Sequence, residues 1–115
     1  MEKDNKIFLL DMLDCIGKID SYVNGYDYDQ FVADSKTVDA VIRQVEVLGE
    51  AANNVPTDLR TEYSQIPWRK IIDKRNMLIH GYSSIQLSVI WDITQNDLDA
   101  LELQIQRMLH DFRSK

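Results

Sequence analysis

The sequence predicts an all-α fold, a four- to five-helix up-and-down antiparallel bundle. Apolar residues recur at intervals of three and four in several stretches, which is the spacing of one face of a helix. No stretch of the sequence shows sustained strand alternation with hairpin turns. The segments between the helical stretches are short, which favours antiparallel neighbours. With 115 residues, 44% of them hydrophobic, the chain is expected to form a single domain over residues 1–115.

The first predicted helix lies near the start of the chain. Asn24-Gly25 is expected to end it, because glycine tolerates the left-handed turn that follows many helices. Residues 26–33 are then predicted to form a loop that carries aromatic side chains. The apolar face of this helix consists of Leu9, Met12, Leu13, Ile16, Ile19 and Val23.

Asp34 or Ser35 is predicted to cap the second helix, because a short polar side chain accepts bonds from its first free N–H groups. Gly49 lies inside this helix, where glycine costs about 1 kcal/mol relative to alanine. Close approach of another helix would explain its presence; a plain defect in the helix is the alternative. Residues 56–66 are predicted to be a loop that can include one helical turn. The core face consists of Val38, Val41, Ile42, Val45, Leu48 and Ala52.

Two further helices complete the predicted bundle. Pro67 suits the first turn of a third helix that runs from Trp68 to about His80, and Gly81 offers a break after it. A fourth helix, which can bend, is predicted over roughly residues 85–112. Its apolar positions at helical spacing are Ile90, Ile93, Leu98, Leu101, Ile105, Met108 and Phe112.

Composition argues against several classes of protein. The 13 basic and 19 acidic residues give a net charge of −6, which disfavours a protein that coats nucleic acid through bulk charge. A local basic patch remains, with only Asp73 among its acidic neighbours; it consists of Arg69, Lys70, Lys74 and Arg75. No run approaches the ~18 apolar residues of a membrane span. The lone Cys15 excludes an intrachain disulfide, and a cytoplasmic location is expected.

The chemistry-bearing motif of the chain is Arg75-Asn76-Met77-Leu78-Ile79-His80-Gly81-Tyr82. A guanidinium binds phosphate through forked hydrogen bonds, and an imidazole exchanges a proton near neutral pH. Together Arg75 and His80 suit the cleavage of a ribose phosphodiester without a metal or any other cofactor. His80 would act as base or acid, Arg75 would stabilise the charged phosphorane, and Asn76 would orient the imidazole or bind phosphate.

The spacing of the motif restricts its geometry. Arg75 and His80 are five residues apart, so on an ideal helix they lie about 140° apart and about 7.5 Å along the axis. Either Gly81 relaxes the helix end, or the site is completed across a subunit interface. We expect both, with the motifs of a two-fold homodimer facing each other.

These residues resemble the R-x4-H-x-Y signature of HepT-like toxins, which belong to the HEPN superfamily of helical ribonucleases. Arg75, His80 and Tyr82 match its three fixed positions. The resemblance extends over nearly the whole chain through residues 37–52, 66–71, 78–82 and 89–91 and the pair Asp97-Leu98.

The resemblance implies a helical bundle, a homodimer and an endoribonuclease centred on Arg75 and His80. It also implies that the protein is the toxin of a type VII system whose antitoxin is a minimal nucleotidyltransferase of the MntA type, forming a hetero-complex with it. In that family the antitoxin transfers AMP to the tyrosine that Tyr82 matches. The added phosphate would place negative charge beside Arg75.

Two alternatives stay open. Arg75 can instead form a structural ion pair with a carboxylate of the second helix, Glu46 or Glu50. The whole chain can instead be a non-catalytic helical module that docks a minimal nucleotidyltransferase. The acidic net charge favours that module slightly, and the intact Arg75, His80 and Tyr82 favour the enzyme.

Overall fold

The computed structural model describes residues 3–80 and 86–113. Over these residues the chain is helical and contains no strand, which confirms the all-α prediction. None of the described helices is both long enough and apolar enough to cross a bilayer. In chain order the elements are α1 (Lys3–Val23), α2 (Tyr28–Ala33), α3 (Ser35–Asn54), α4 (Thr57–Glu62), α5 (Trp68–His80), α6 (Leu87–Asp92), a π-helical segment (Ile93–Asp97) and α7 (Leu98–Arg113).

The turn after α1 agrees with its prediction, but the segment after it does not. Gly25 has a φ of 79°, the left-handed conformation expected of it. Residues 26–33 were predicted to be a loop, which is wrong because α2 occupies most of them. Asp27 caps α2: its side chain accepts from the Gln30 N–H at 2.8 Å, and the Gln30 side chain accepts from the Asp27 N–H at 2.9 Å. The fully buried Phe31 anchors the helix.

Asp34, one of the two predicted caps, begins α3. Its carboxylate accepts from the Thr37 N–H at 3.2 Å and from the Thr37 hydroxyl at 2.7 Å. The Tyr26 hydroxyl donates to the same carboxylate at 2.6 Å, and this bond is the main reason that the pKa of Asp34 is lowered. The cap therefore fixes where the central helix starts.

The core forms around α3, which packs against α1 on one side and α5 on the other. Helix α7 packs against α1. The predicted apolar faces are buried except for Leu13 and Ile42, which are half-buried at the edge of the core. The largest fully buried side chains include Leu9, Met12, Ile16, Ile19, Val41, Leu78, Ile90, Ile105 and Met108.

Side-chain bonds tie the segment around α4 to α7. The Tyr63 hydroxyl donates to the Asp111 carboxylate at 3.1 Å, and the Gln104 amide donates to the Gln65 carbonyl at 3.1 Å. The buried Trp68 also donates its indole N–H to the Tyr63 carbonyl at 3.1 Å. The connection between α4 and α5 is thus fixed in place at the start of the motif helix.

The predicted fourth helix is present as α6, the π-helical segment and α7 in succession. The Thr94 hydroxyl donates to the Trp91 carbonyl at 2.7 Å. This carbonyl therefore accepts a hydrogen bond from a side chain as well as taking part in the backbone pattern of the helix. Such side-chain bonds bend helices and disturb their regular pattern. The predicted fourth helix is therefore interrupted by a π-helical segment at the position of Thr94.

Candidate active site

Residues 75–80 of the motif lie on α5, a helix with only one face in the core. Leu78 is buried, whereas Met77 and Ile79 on either side of it are 37% and 41% exposed. Arg75 and Asn76 are half-buried. The polar residues of the motif thus lie on a helix that also exposes two large apolar side chains.

Gly49 of α3 makes room for Arg75. A Cβ atom added to Gly49 would lie 2.2 Å from the Cβ of Arg75 and 2.8 Å from its Cγ. It would also lie 3.3 Å from the carbonyl oxygen of Ile71. The close approach predicted from Gly49 is therefore present, and the helix that approaches is the one that carries the motif. This contact fixes the root of the arginine side chain against the central helix.

The guanidinium of Arg75 is held by its neighbour. Its Nη1 donates to the Oδ1 of Asn76 at 3.0 Å, while its Nε is buried without a hydrogen-bond partner among the described residues. The salt bridges of the described part of the chain join other residues, so the alternative ion pair with Glu46 or Glu50 is not formed there. The structure pairs Arg75 with Asn76, a contact that the sequence analysis did not anticipate.

The other two motif residues lie at or beyond the end of α5. His80 is the last residue of the helix, and its side chain is outside the described residues, as is the whole of Tyr82. The helix is unbroken from Arg75 to His80, so their Cα atoms lie about 140° apart around its axis. On this backbone the two positions lie on different faces of α5.

Two depressions flank α5. One, of about 270 Å³, lies between α3, α5 and the π-helical segment, and the Lys70–Asp97 salt bridge of 3.5 Å is among its lining groups. The other, which we call the α4–α5 groove, has a volume of about 840 Å³ and includes Arg60, Arg69 and Asn76 in its lining. Sequence analysis found Arg69 in the basic patch but missed Arg60, which only the folded chain brings beside α5.

Other reactive side chains lie away from the motif. Burial raises the pKa of Cys15 to about 11, so its thiol stays protonated at neutral pH. Burial and the bond to Asp111 raise the pKa of Tyr63 to about 12. Within residues 3–80 and 86–113 no three His, Cys, Asp or Glu side chains are grouped so that they could hold a metal ion.

The sequence matches a known family over most of its length. The model of the family described as Ribonuclease HepT-like covers residues 12–108, a range that includes α3, α5 and all four predicted site residues. The chain belongs to the HepT-like ribonuclease family. The resemblance to HepT-like toxins is thereby confirmed at the level of the family.

Curated relatives cover nearly the whole of this family member. A candidate RNase of Methanocaldococcus jannaschii is 37% identical over 99% of this chain and 94% of its own. The probable ribonuclease HepT of Thermococcus cleftensis is 32% identical over 94% of this chain and 98% of its own. A third relative, from M. jannaschii, is named as a gamma-glutamylcyclotransferase and candidate RNase; it is 33% identical, and this chain matches 50% of its length. No solved structure matches the chain significantly.

Proposed function

We propose that the protein is a metal-independent endoribonuclease and the toxin of a HepT/MntA toxin–antitoxin system. The observation that carries the proposal is the state of Arg75. Its guanidinium is oriented by Asn76, and its Nε has no hydrogen-bond partner among the described residues. Arg75 lies on the same helix as the motif histidine. Membership of a ribonuclease family supports RNA as the substrate. An oriented cationic fork and a neutral-pH proton carrier that reach one cleft suit phosphodiester cleavage.

The proposed reaction uses the 2′-hydroxyl of RNA as its nucleophile. His80 of one subunit accepts the proton of that hydroxyl, and the 2′-oxygen attacks the adjacent phosphorus. Arg75 binds the phosphate oxygens more strongly as the phosphorane gains charge. The bond to the 5′-oxygen breaks, and the protonated His80 of the partner subunit donates a proton to that leaving group. The products are a 2′,3′-cyclic phosphate and a 5′-hydroxyl.

A homodimer is part of the proposal because one chain supplies one histidine to the motif. The roughly 140° between Arg75 and His80 around α5 also favours a site that two subunits share. The exposed Met77 and Ile79 supply apolar surface on the same helix for such a contact. Two copies of α5 facing each other would bring two arginines and two histidines to one cleft.

Cleavage in the presence of chelator tests this function. The purified full chain, with excess EDTA, is expected to cut a single-stranded RNA and leave 2′,3′-cyclic phosphate ends, which mass spectrometry of the fragments identifies. An oligonucleotide with 2′-O-methyl groups throughout serves as the control and should stay intact, because it lacks the attacking hydroxyl. Activity that EDTA removes would contradict the metal-independent mechanism. Absence of cleavage with and without added Mg²⁺ or Mn²⁺ would favour the non-catalytic docking module.

We further propose that an MntA-type nucleotidyltransferase silences the protein by AMP transfer to Tyr82. A phosphodiester on this tyrosine, seven residues beyond Arg75 in the sequence, would add the acceptor oxygens and negative charge that a guanidinium binds. The chain made together with that enzyme should carry AMP-sized mass additions on the peptide containing Tyr82, and the modified protein should not cut RNA. The Tyr82→Phe variant should gain no AMP there. Additions confined to another residue would overturn this mode of regulation.

A further inference from the structure

The α4–α5 groove meets the Arg75–Asn76 pair at Asn76 and has a mixed lining of apolar and polar side chains. Its lining includes two arginines, Arg60 of α4 and Arg69 of α5, which are nine residues apart in the sequence. The hydroxyl of Thr57 and the amide of Asn53 add hydrogen-bonding groups to the same surface. Arginine, threonine and asparagine are side chains that commonly contact the phosphates and sugars of nucleic acids.

Arg60 is held in the groove by a local contact. Its Nη2 donates to the Thr57 hydroxyl at 3.4 Å, and its Nε is buried without a hydrogen-bond partner among the described residues. The described salt bridges are Lys18–Asp14 and Lys70–Asp97, so neither Arg60 nor Arg69 has a carboxylate partner in this part of the chain. Asp73 also lines the groove but forms a salt bridge with neither arginine. The exposed Arg69 and the terminal nitrogens of the half-buried Arg60 therefore remain available to an anion, on a protein whose net charge is −6.

The groove is continuous with the candidate active site. Asn76 lines it, and the same amide accepts the 3.0 Å hydrogen bond from Arg75. Arg69 lies less than two helical turns before Arg75 on α5. A chain of phosphates that leaves the Arg75 site along α5 would thus meet Arg69 and then Arg60 across the groove.

We propose that the α4–α5 groove holds the sugar–phosphate backbone of the RNA on one side of the bond to be cut, with Arg60 and Arg69 each binding a phosphate. This inference rests on the proposed ribonuclease function. The groove recognises backbone rather than bases, because its aromatic lining residue, Trp68, is buried and offers no face for stacking. It directs an RNA strand to the site of an acidic protein whose overall charge would repel it.

Binding of a 2′-O-methyl RNA oligonucleotide, followed by fluorescence anisotropy over a range of salt concentrations, tests the groove without cleavage. Arg60→Gln and Arg69→Gln each keep a polar side chain and remove one positive charge. Each is expected to weaken binding about tenfold, the equivalent of one charge-assisted hydrogen bond. Each should also reduce the slope of log K against log salt by about 0.7. Arg107→Gln removes the same charge from an exposed position of α7 outside the groove, and it should bind like the wild type.

A second measurement separates this inference from the function it rests on. With cleavable RNAs of increasing length, the KM of the wild type should fall as the strand extends into the groove, and the KM of the two groove variants should fall less. If the wild type cleaves RNA and all three variants bind the oligonucleotide as tightly as the wild type does, the proposed role of the groove is wrong. The proposed ribonuclease function would be unaffected by that result. An equal loss of affinity in Arg107→Gln would show that net charge alone causes the effect. That result would also contradict the proposed role of the groove. Circular dichroism melting checks each fold, and the exposed Arg69 keeps the test independent of any packing role of Arg60.

Discussion

Replacing His80 with alanine is expected to lower the rate of RNA cleavage by about 10²- to 10⁴-fold, the usual contribution of a general acid or base. Arg75→Ala should lower it by about 10²- to 10³-fold, the range seen when one donor to a charged transition state is lost. Both substitutions lie within α5, where alanine favours the helix, so the fold should persist. Initial rates on a fixed RNA, with circular dichroism of each variant, measure both effects.

Two further variants make this prediction sharper. Arg75→Lys keeps the charge but loses the fork and the side-chain geometry that Asn76 holds, so it should remain strongly impaired. The double variant Arg75→Ala with His80→Ala should be little worse than the weaker single variant, because residues that act as one unit are not additive. Full activity in both single variants would show that the cleavage takes place elsewhere on the protein or in a contaminant.

Gly49→Ala is expected to destabilise the protein although alanine is the better helix former. Helix propensity alone would favour alanine by about 1 kcal/mol. The added Cβ would lie 2.2 Å from the Cβ of Arg75, an atom fixed to the backbone of α5, so the two helices must separate. Overpacking of this kind costs about 1–3 kcal/mol, and the displaced Arg75 should lower activity as well. Urea unfolding gives the free energy of unfolding, and the cleavage assay gives the second effect.

Gly17→Ala is the matched control for this substitution. Gly17 also lies inside a helix, but it is exposed and an added Cβ meets no atom within 4 Å. Alanine there should stabilise the protein by up to about 1 kcal/mol. Gly49→Ala should remain destabilising in an Arg75→Ala background, because the Cβ of residue 75 remains. Stabilisation by both alanines would show that α3 and α5 do not approach as closely as described.

Helix positions and the close contact at Gly49 could be predicted because they depend on local patterns. Apolar spacing located the core faces, and the short polar side chain of Asp34 indicated the start of α3. Helix α2 was missed because the stretch around it was interpreted as a loop with aromatic side chains. Its signal, the capping box that begins with Asp27, was overlooked. The π-turn at Thr94 was missed because no proline or glycine marks it.

The candidate site was predictable only as far as the motif extends. The types and spacing of Arg75, Asn76, His80 and Tyr82 indicate their proposed chemistry without any fold. The bond from Arg75 to Asn76 depends on a side-chain rotamer, which sequence spacing does not specify. Arg60 lines the groove because the segment around Tyr63, bonded to Asp111 and Trp68, places α4 across the groove from α5. That tertiary arrangement has no local signal in the sequence.

The absence of a side chain at Gly49 affects which inactive variants a random mutant library will contain. Random mutagenesis screened for lost activity should return two populations with different soluble yields. Changes at Gly49 would give poorly expressed protein, because any substituent forces the central helix away from its neighbour. Changes confined to the polar side-chain groups of the motif would give well-expressed, inactive protein. Such protein is suitable for crystallisation with uncleaved RNA.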